Sequence, residues 1–218
     1  MTRSPLLAVA HRAGNTVAGL RAALATGVDL IETDVHLYRG ALEVRHSTAI
    51  GPRHYWERTR GVTRRRDVVV PELDEILSAA AGDPRLLLDL KGRDGAVAAA
   101  VAETLRSRAP GVPVAVCTKQ WPMLDAFAGD PSVRRILSVA NQLQLTRLRA
   151  RLRGNRADGV SVRLRLLTPA VVTELSRATD LILAWPVDSE AALARAGQLG
   201  VTGVVSKDLD MLRRLTTP

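Results

Sequence analysis

Eight times along the chain, a short apolar run rich in Val, Leu and Ile gives way to a stretch with helical character. The apolar runs fall at residues 6–10, 29–35, 85–90, 113–117, 133–139, 159–162, 181–185 and 201–205. The helical stretches follow at 17–26, 71–77, 96–106, 121–128, 143–152, 169–177, 189–199 and 209–215. Runs this short, apolar on both faces, suit strands covered on either side by helices. Regular strand-then-helix alternation is the signature of a parallel sheet with crossover helices. Eight such units in 218 residues predict a closed (β/α)8 TIM barrel. No shift in composition marks a boundary, so one domain over 1–218 is expected. One further extended piece, 41–46, follows the second strand. Residues 47–68 are polar, basic and without periodicity, and read as a short irregular loop.

Nearly half of the residues, 46%, are hydrophobic, enough for a full core. The net charge of +9 comes almost wholly from arginine, since only Lys91, Lys119 and Lys207 are lysines. Such a surface favours anionic partners. Nucleic-acid binders pair basic surface with aromatic stacking or a known motif, and neither is present here. No apolar run is long enough to span a bilayer. The segment Met1-Thr2-Arg3-Ser4-Pro5 leads into an apolar stretch too short for a secretory signal. The single cysteine, Cys117, fits a reducing compartment, so a cytoplasmic protein is expected.

The chemistry-bearing residues gather at one end of these units. Glu32 and Asp34 sit two apart in Leu30-Ile31-Glu32-Thr33-Asp34-Val35, so on a strand they share a face. Two like charges aimed at one spot repel unless a cation lies between them. Asp89 ends the third barrel strand and adds a third oxygen donor, suiting one hard divalent ion, Mg2+ or Ca2+. Lys91 shares the face of Asp89, and Arg12 offers a planar fork, both suited to phosphate. His11 follows the first strand and His46 the extended piece; both titrate where proton transfer near neutral pH needs them. Trp185, at the end of the seventh strand, can wall a substrate pocket. His36 reads as polar lining, His54 as exposed on the lip, and Cys117 as packing. Asp188 reads as a helix cap, Arg64-Arg65-Arg66 as a basic rim with weak pull on anionic lipid, and Lys207 as a surface cation.

These residues resemble the glycerophosphodiester phosphodiesterase family over most of the chain. Ala10-His11-Arg12 resembles its opening His-Arg-Gly, and Asn15-Thr16 its Glu-Asn-Thr. Gly27-Val28-Asp29-Leu30-Ile31-Glu32-Thr33-Asp34-Val35 is similar to its Gly-Ala-Asp-x-Ile-Glu-x-Asp-Val segment. Val44-Arg45-His46, Val70 to Leu77, Asp89-Leu90-Lys91 and Gly200 to Ser206 resemble further motifs in order. The resemblance implies hydrolysis of a glycerophosphodiester to an alcohol and glycerol phosphate. It implies His11 and His46 as the acid/base pair, Glu32, Asp34 and Asp89 as metal ligands, and Arg12 and Lys91 on the phosphate.

Several positions depart from the pattern. Ala13 replaces a glycine, Ser47 replaces the Asp after the second histidine, and Asp89 replaces Glu. The segment after His46 is too short for the family's usual inserted subdomain. Asp89 and Asp188 resemble the sphingomyelinase D-like branch. Two alternatives follow: phospholipase D-like cleavage of lysophospholipid or sphingomyelin, and a barrel that binds phosphate ligands without turnover.

Overall fold

The computed structural model describes residues 6–216. The lead-in 1–5 discussed above lies outside them. In chain order the strands are β1 (Leu7–Ala10), β2 (Leu30–Tyr38), β3 (Ala41–Val44), β4 (Thr48–Ile50), β5 (His54–Glu57), β6 (Gly61–Arg64), β7 (Leu86–Leu90), β8 (Val114–Thr118), β9 (Val133–Val139), β10 (Gly159–Arg163), β11 (Ile182–Trp185) and β12 (Gly203–Ser206). The α-helices are α1 (Val17–Ala25), α2 (Leu73–Ala80), α3 (Ala96–Arg108), α4 (Gln142–Arg151), α5 (Pro169–Leu175), α6 (Glu190–Leu199) and α7 (Leu209–Thr216).

Eight parallel strands run in the order β1-β12-β11-β10-β9-β8-β7-β2, and β1 pairs with β2 to close the barrel. The (β/α)8 expectation therefore holds. Period-two alternation divides each strand between two cores. Val9, Leu87, Ala115, Cys117, Ile136 and Leu183 fill the barrel interior. Their neighbours in sequence, such as Ala8, Leu86, Leu88 and Val116, pack outward against the helices. Helix starts follow local chemistry: Thr16 accepts from Gly19 N, Asn141 from Gln144 N and Ser189 from Ala192 N.

Three expectations change. The stretch read as an irregular loop after His46 forms an antiparallel sheet, β4-β5-β6. Its strands are only three or four residues long and are set among arginine-bearing turns, so only pairing across the sheet reveals them. The helix expected at 121–128 is a 3-10 helix, Trp121–Phe127, with Pro122 in its first turn. Asp188 does not cap α6; Ser189 does.

Candidate active site

The inward face of β2 carries Glu32 and Asp34, 5% and 0% exposed. Parallel pairing sets Asp34 opposite Asp89 of β7. Oxygens of Glu32, Asp34 and Asp89 all lie within 4.8 Å of one another. Lys91, two residues past Asp89, points the same way. Its ammonium lies 2.5 Å from Asp34 Oδ1 and also against Asp89 Oδ2.

The turn after β1 brings the next groups. Arg12 adopts a left-handed conformation, φ 60°, which aims its backbone N–H at Glu32 Oε2, 2.5 Å away. Asn15 holds Asp34. Its Nδ2 donates to Oδ2 at 2.7 Å, and its Oδ1 accepts from Asp34 N at 2.7 Å. Gly14 lets this turn lie flat on β2, since a Cβ there would come within 1.8 Å of Thr33 Oγ1. His11 continues the inward register of Leu7 and Val9.

His46 arrives from the β2–β3 hairpin. Its Nε2 meets the Arg12 Nη2, and its Nδ1 lies 3.1 Å from Glu57 Oε1, close but off the angle of a hydrogen bond. Guanidinium only donates, so Nε2 offers its lone pair and the ring proton sits on Nδ1, facing Glu57. Arg12 Nη1 also donates to Glu57 Oε1, at 3.3 Å. Glu57 was not singled out in the sequence. It lies 45 residues from Arg12, inside the segment that carried no periodic signal.

Burial, then repulsion from Asp34, pushes the Glu32 carboxyl well above the usual carboxylate range. Burial would raise Asp34 too, but the Lys91 charge and hydrogen bonds from Lys91 and Asn15 hold it well below its ordinary value. Burial opposes the charge on Lys91, yet Asp89 and Asp34 raise its pKa strongly. Burial first, and Arg12 second, lower His11 to about 4. His46 is lowered as well, chiefly by burial, against the pull of Asp34. His36 lines the mouth as expected, and burial followed by Arg45 lowers it to about 3.

The far arc of the rim belongs to β10, β11 and β12. Trp185 faces the mouth there, half-buried, with the Arg163 guanidinium 6.0 Å from its ring centroid. Arg163 pairs in register with Trp185 and was also missed, because one arginine among many carries no local signal. Asp188 accepts from Lys207 N at 2.9 Å and from Ser206 Oγ at 3.2 Å. It fixes the end of β12 rather than the start of a helix. Lys207 is exposed, and its charge helps to lower His11. Cys117 is buried in the interior in register with Asp89; burial, then Asp89, pushes its thiol well up, which fits packing rather than nucleophilic attack.

Seven of the eight residues singled out in the sequence, His11, Arg12, Glu32, Asp34, His46, Asp89 and Lys91, thus meet on the arc formed by β1, β2 and β7. Trp185 stands on the same rim across the mouth. Three carboxylates drawn together, with Asp89 Oδ1 buried and lacking a hydrogen bond, form an oxygen-donor set that suits a divalent cation.

Solved structures of the same shape include a phosphodiesterase from Oleispira antarctica in complex with the product sn-glycerol-3-phosphate, with a TM-score of 0.75 and 19% identity, covering 97% of this chain and 96% of that one. The glycerophosphodiester phosphodiesterase of Thermotoga maritima aligns with a TM-score of 0.76 and 16% identity over 96% of this chain and 98% of its own. That of Parabacteroides distasonis gives 0.75 and 17%, over 97% of each chain. The fold is that of the glycerophosphodiester phosphodiesterases. No family model and no curated protein matches the chain. The phosphodiesterase fold therefore emerges from three-dimensional shape at identities where whole-sequence similarity has faded.

Proposed function

We propose that the protein is a metal-dependent phosphoric diester hydrolase that cleaves a glycerophosphodiester to an alcohol and glycerol phosphate. One observation carries this reading: two buried carboxylates and a half-buried third, two histidines, a guanidinium and an ammonium converge at the C-terminal rim of a barrel. That is where (β/α)8 enzymes do their chemistry. The product bound in the Oleispira antarctica phosphodiesterase agrees with a small phosphodiester substrate.

Glu32, Asp34 and Asp89 would hold the cation. When bound, Mg2+ or Ca2+ supplies Lewis-acid polarisation of a phosphoryl oxygen. Arg12 and Lys91 bind the remaining phosphate oxygens, Arg12 through two parallel donors. The phosphate takes over the Arg12 Nη2 and so frees His46 Nε2 for proton transfer. His11, neutral at pH 7, accepts the proton of the attacking hydroxyl. His46, whose freed Nε2 takes up a proton from solvent with Glu57 steadying the resulting imidazolium, delivers that proton to the departing alkoxide. The attacking hydroxyl is water or the substrate's own neighbouring hydroxyl, the second route passing through a cyclic phosphate. We take the chain to act as one domain, in the cytoplasm; among the described residues no helix is long and apolar enough to cross a membrane.

Ser47, in place of the Asp after His46, raised the alternative of a barrel without turnover. Glu57 weakens it by supplying a carboxylate to the same imidazole from β5. The test is a panel of glycerophosphodiesters, lysophospholipids and sphingomyelin, run with Mg2+, Ca2+ and chelator while the released alcohol is identified. Chelator-sensitive release of glycerol phosphate, lost in His11→Ala and Glu32→Ala, is expected. Release restricted to lysophospholipid or sphingomyelin would transfer the protein to the phospholipase D-like reading. Tight phosphate-ligand binding with no turnover of any diester would leave a binding barrel.

A further inference from the structure

The small sheet has two faces of opposite character. Register across β4, β5 and β6 places Thr48, Trp56 and Val62 side by side, and Ile50, His54 and Arg64 side by side. Directly opposed residues point to the same side of a sheet, as do residues two apart, so these six form one face. All six are exposed. The other face holds Ala49, Tyr55, Glu57 and Thr63; Tyr55 is buried there and Glu57 reaches the catalytic rim. The sheet is thus already anchored through its inner side. Its outer side presents Ile50, Trp56 and Val62 to solvent at 47%, 46% and 63% exposure. An apolar strip with an indole at its centre gains nothing from water.

The charge around the strip is one-sided. Arg53, Arg58, Arg60 and Arg64 are exposed and form no ion pair with a carboxylate among the described residues. Of the two acids of residues 51–69, Glu57 is engaged with Arg12 at the barrel rim, and Asp67 lies 3.6 Å from Arg66 alone, leaving these four arginines without a carboxylate. Pro52, Arg53, His54, Arg64, Arg65 and Arg66 line a groove beside the strip.

We propose that this outer face docks onto an anionic phospholipid bilayer. Trp56, Ile50 and Val62 enter the headgroup and acyl boundary, where an indole prefers to sit. The unpaired guanidiniums meet lipid phosphates, and the groove at Arg53 and Arg64 receives a headgroup. One aromatic on the whole face is too few for the stacking that single-stranded nucleic acid uses, whereas apolar strip and arginine collar together match an interface. The surface stands apart from the catalytic residues, so the proposal does not depend on the phosphodiesterase reading.

The test uses the full chain with vesicles of phosphatidylcholine alone and of phosphatidylcholine with phosphatidylglycerol in equal parts. Co-sedimentation with the anionic vesicles, weak or absent with the neutral ones, is expected. Trp56→Ser with Val62→Ser should weaken partition about tenfold at low and high salt alike, since apolar area is removed. Arg53→Glu with Arg64→Glu should remove the preference for anionic lipid. Brominated acyl chains should quench part of the fluorescence of the wild type, and that part should vanish in Trp56→Phe, which keeps the sheet packed. Failure to sediment with anionic vesicles overturns the proposal. So does vesicle binding that the apolar variant leaves unchanged, a lipid-independent dimer abolished by it, or tighter retention on single-stranded DNA than on anionic vesicles.

Discussion

Glu57 Oε1 lies 3.1 Å from His46 Nδ1 and 3.3 Å from Arg12 Nη1, so one carboxylate from the small sheet holds two groups of the barrel rim. Because the sheet is anchored, the imidazole and the guanidinium are set before substrate arrives. Glu57→Gln should keep the fold and lower kcat/KM on the order of 10- to 100-fold, the usual loss when a carboxylate that orients a histidine is removed. Steady-state kinetics checks it, with Glu57→Asp recovering part of the loss; wild-type kcat/KM in Glu57→Gln would remove Glu57 from the site.

The acid cluster should declare itself by stability alone. A ligand that binds only the folded state stabilises it by about 2.7 kcal/mol at a hundred times its Kd. Mg2+ or Ca2+ should therefore raise the Tm of the wild-type protein, and Asp34→Asn or Glu32→Gln should abolish the rise. Calorimetry in chelator and in added cation reads this without any substrate.

The pH profile of turnover follows from His11. Its folded-state pKa of about 4 lies below the ordinary 6.5, so the neutral, proton-accepting form persists well into acid. With His11 as the proposed base and a protonated His46 as the proposed acid, kcat/KM should fall below about pH 4 as His11 protonates, and fall again on the alkaline side as His46, itself lowered from 6.5, loses its proton. The Lys207 charge contributes to the lowering, so Lys207→Ala should move the acid limb to higher pH. An unmoved limb would detach it from His11.

The small sheet is pinned to the barrel by Glu43 of β3. It is 3% exposed, accepts from Arg45 Nε at 2.8 Å, and is engaged by Arg65. Burial would raise its carboxyl, but the hydrogen bonds from Arg65 and Arg45 pull it below its ordinary 4.5. A depressed carboxylate pKa stabilises the fold above the unfolded value, and that stability is lost as pH falls through the folded value. Glu43→Ala strands the buried Arg45 charge and should cost about 3–5 kcal/mol at neutral pH. Its stability should also fall less steeply with acid than that of the wild type. Denaturant melts at several pH values check both.

Gly14→Ala should be costly for a spatial reason. Its methyl would meet Thr33 Oγ1 at 1.8 Å, and relief of such overpacking typically costs about 1–3 kcal/mol. Thr33→Ala should recover part of it, and a double-mutant cycle measures the coupling.

Much of this protein was legible one segment at a time. Strand-then-helix alternation implied the barrel. Side-chain parity on β2 and β7 turned Glu32, Asp34, Asp89 and Lys91 inward together. Period and parity are local properties of the chain, which is why composition and spacing carry them.

The folded molecule decided what joins distant segments. Ring closure brought His11 and Arg12 to the acids, and Asn15 became a support for Asp34. An arginine-rich stretch became a sheet because its strands found each other, and Glu57 thereby reached Arg12 across 45 residues. Contacts of that separation depend on how elements pack, and no window of sequence contains both partners.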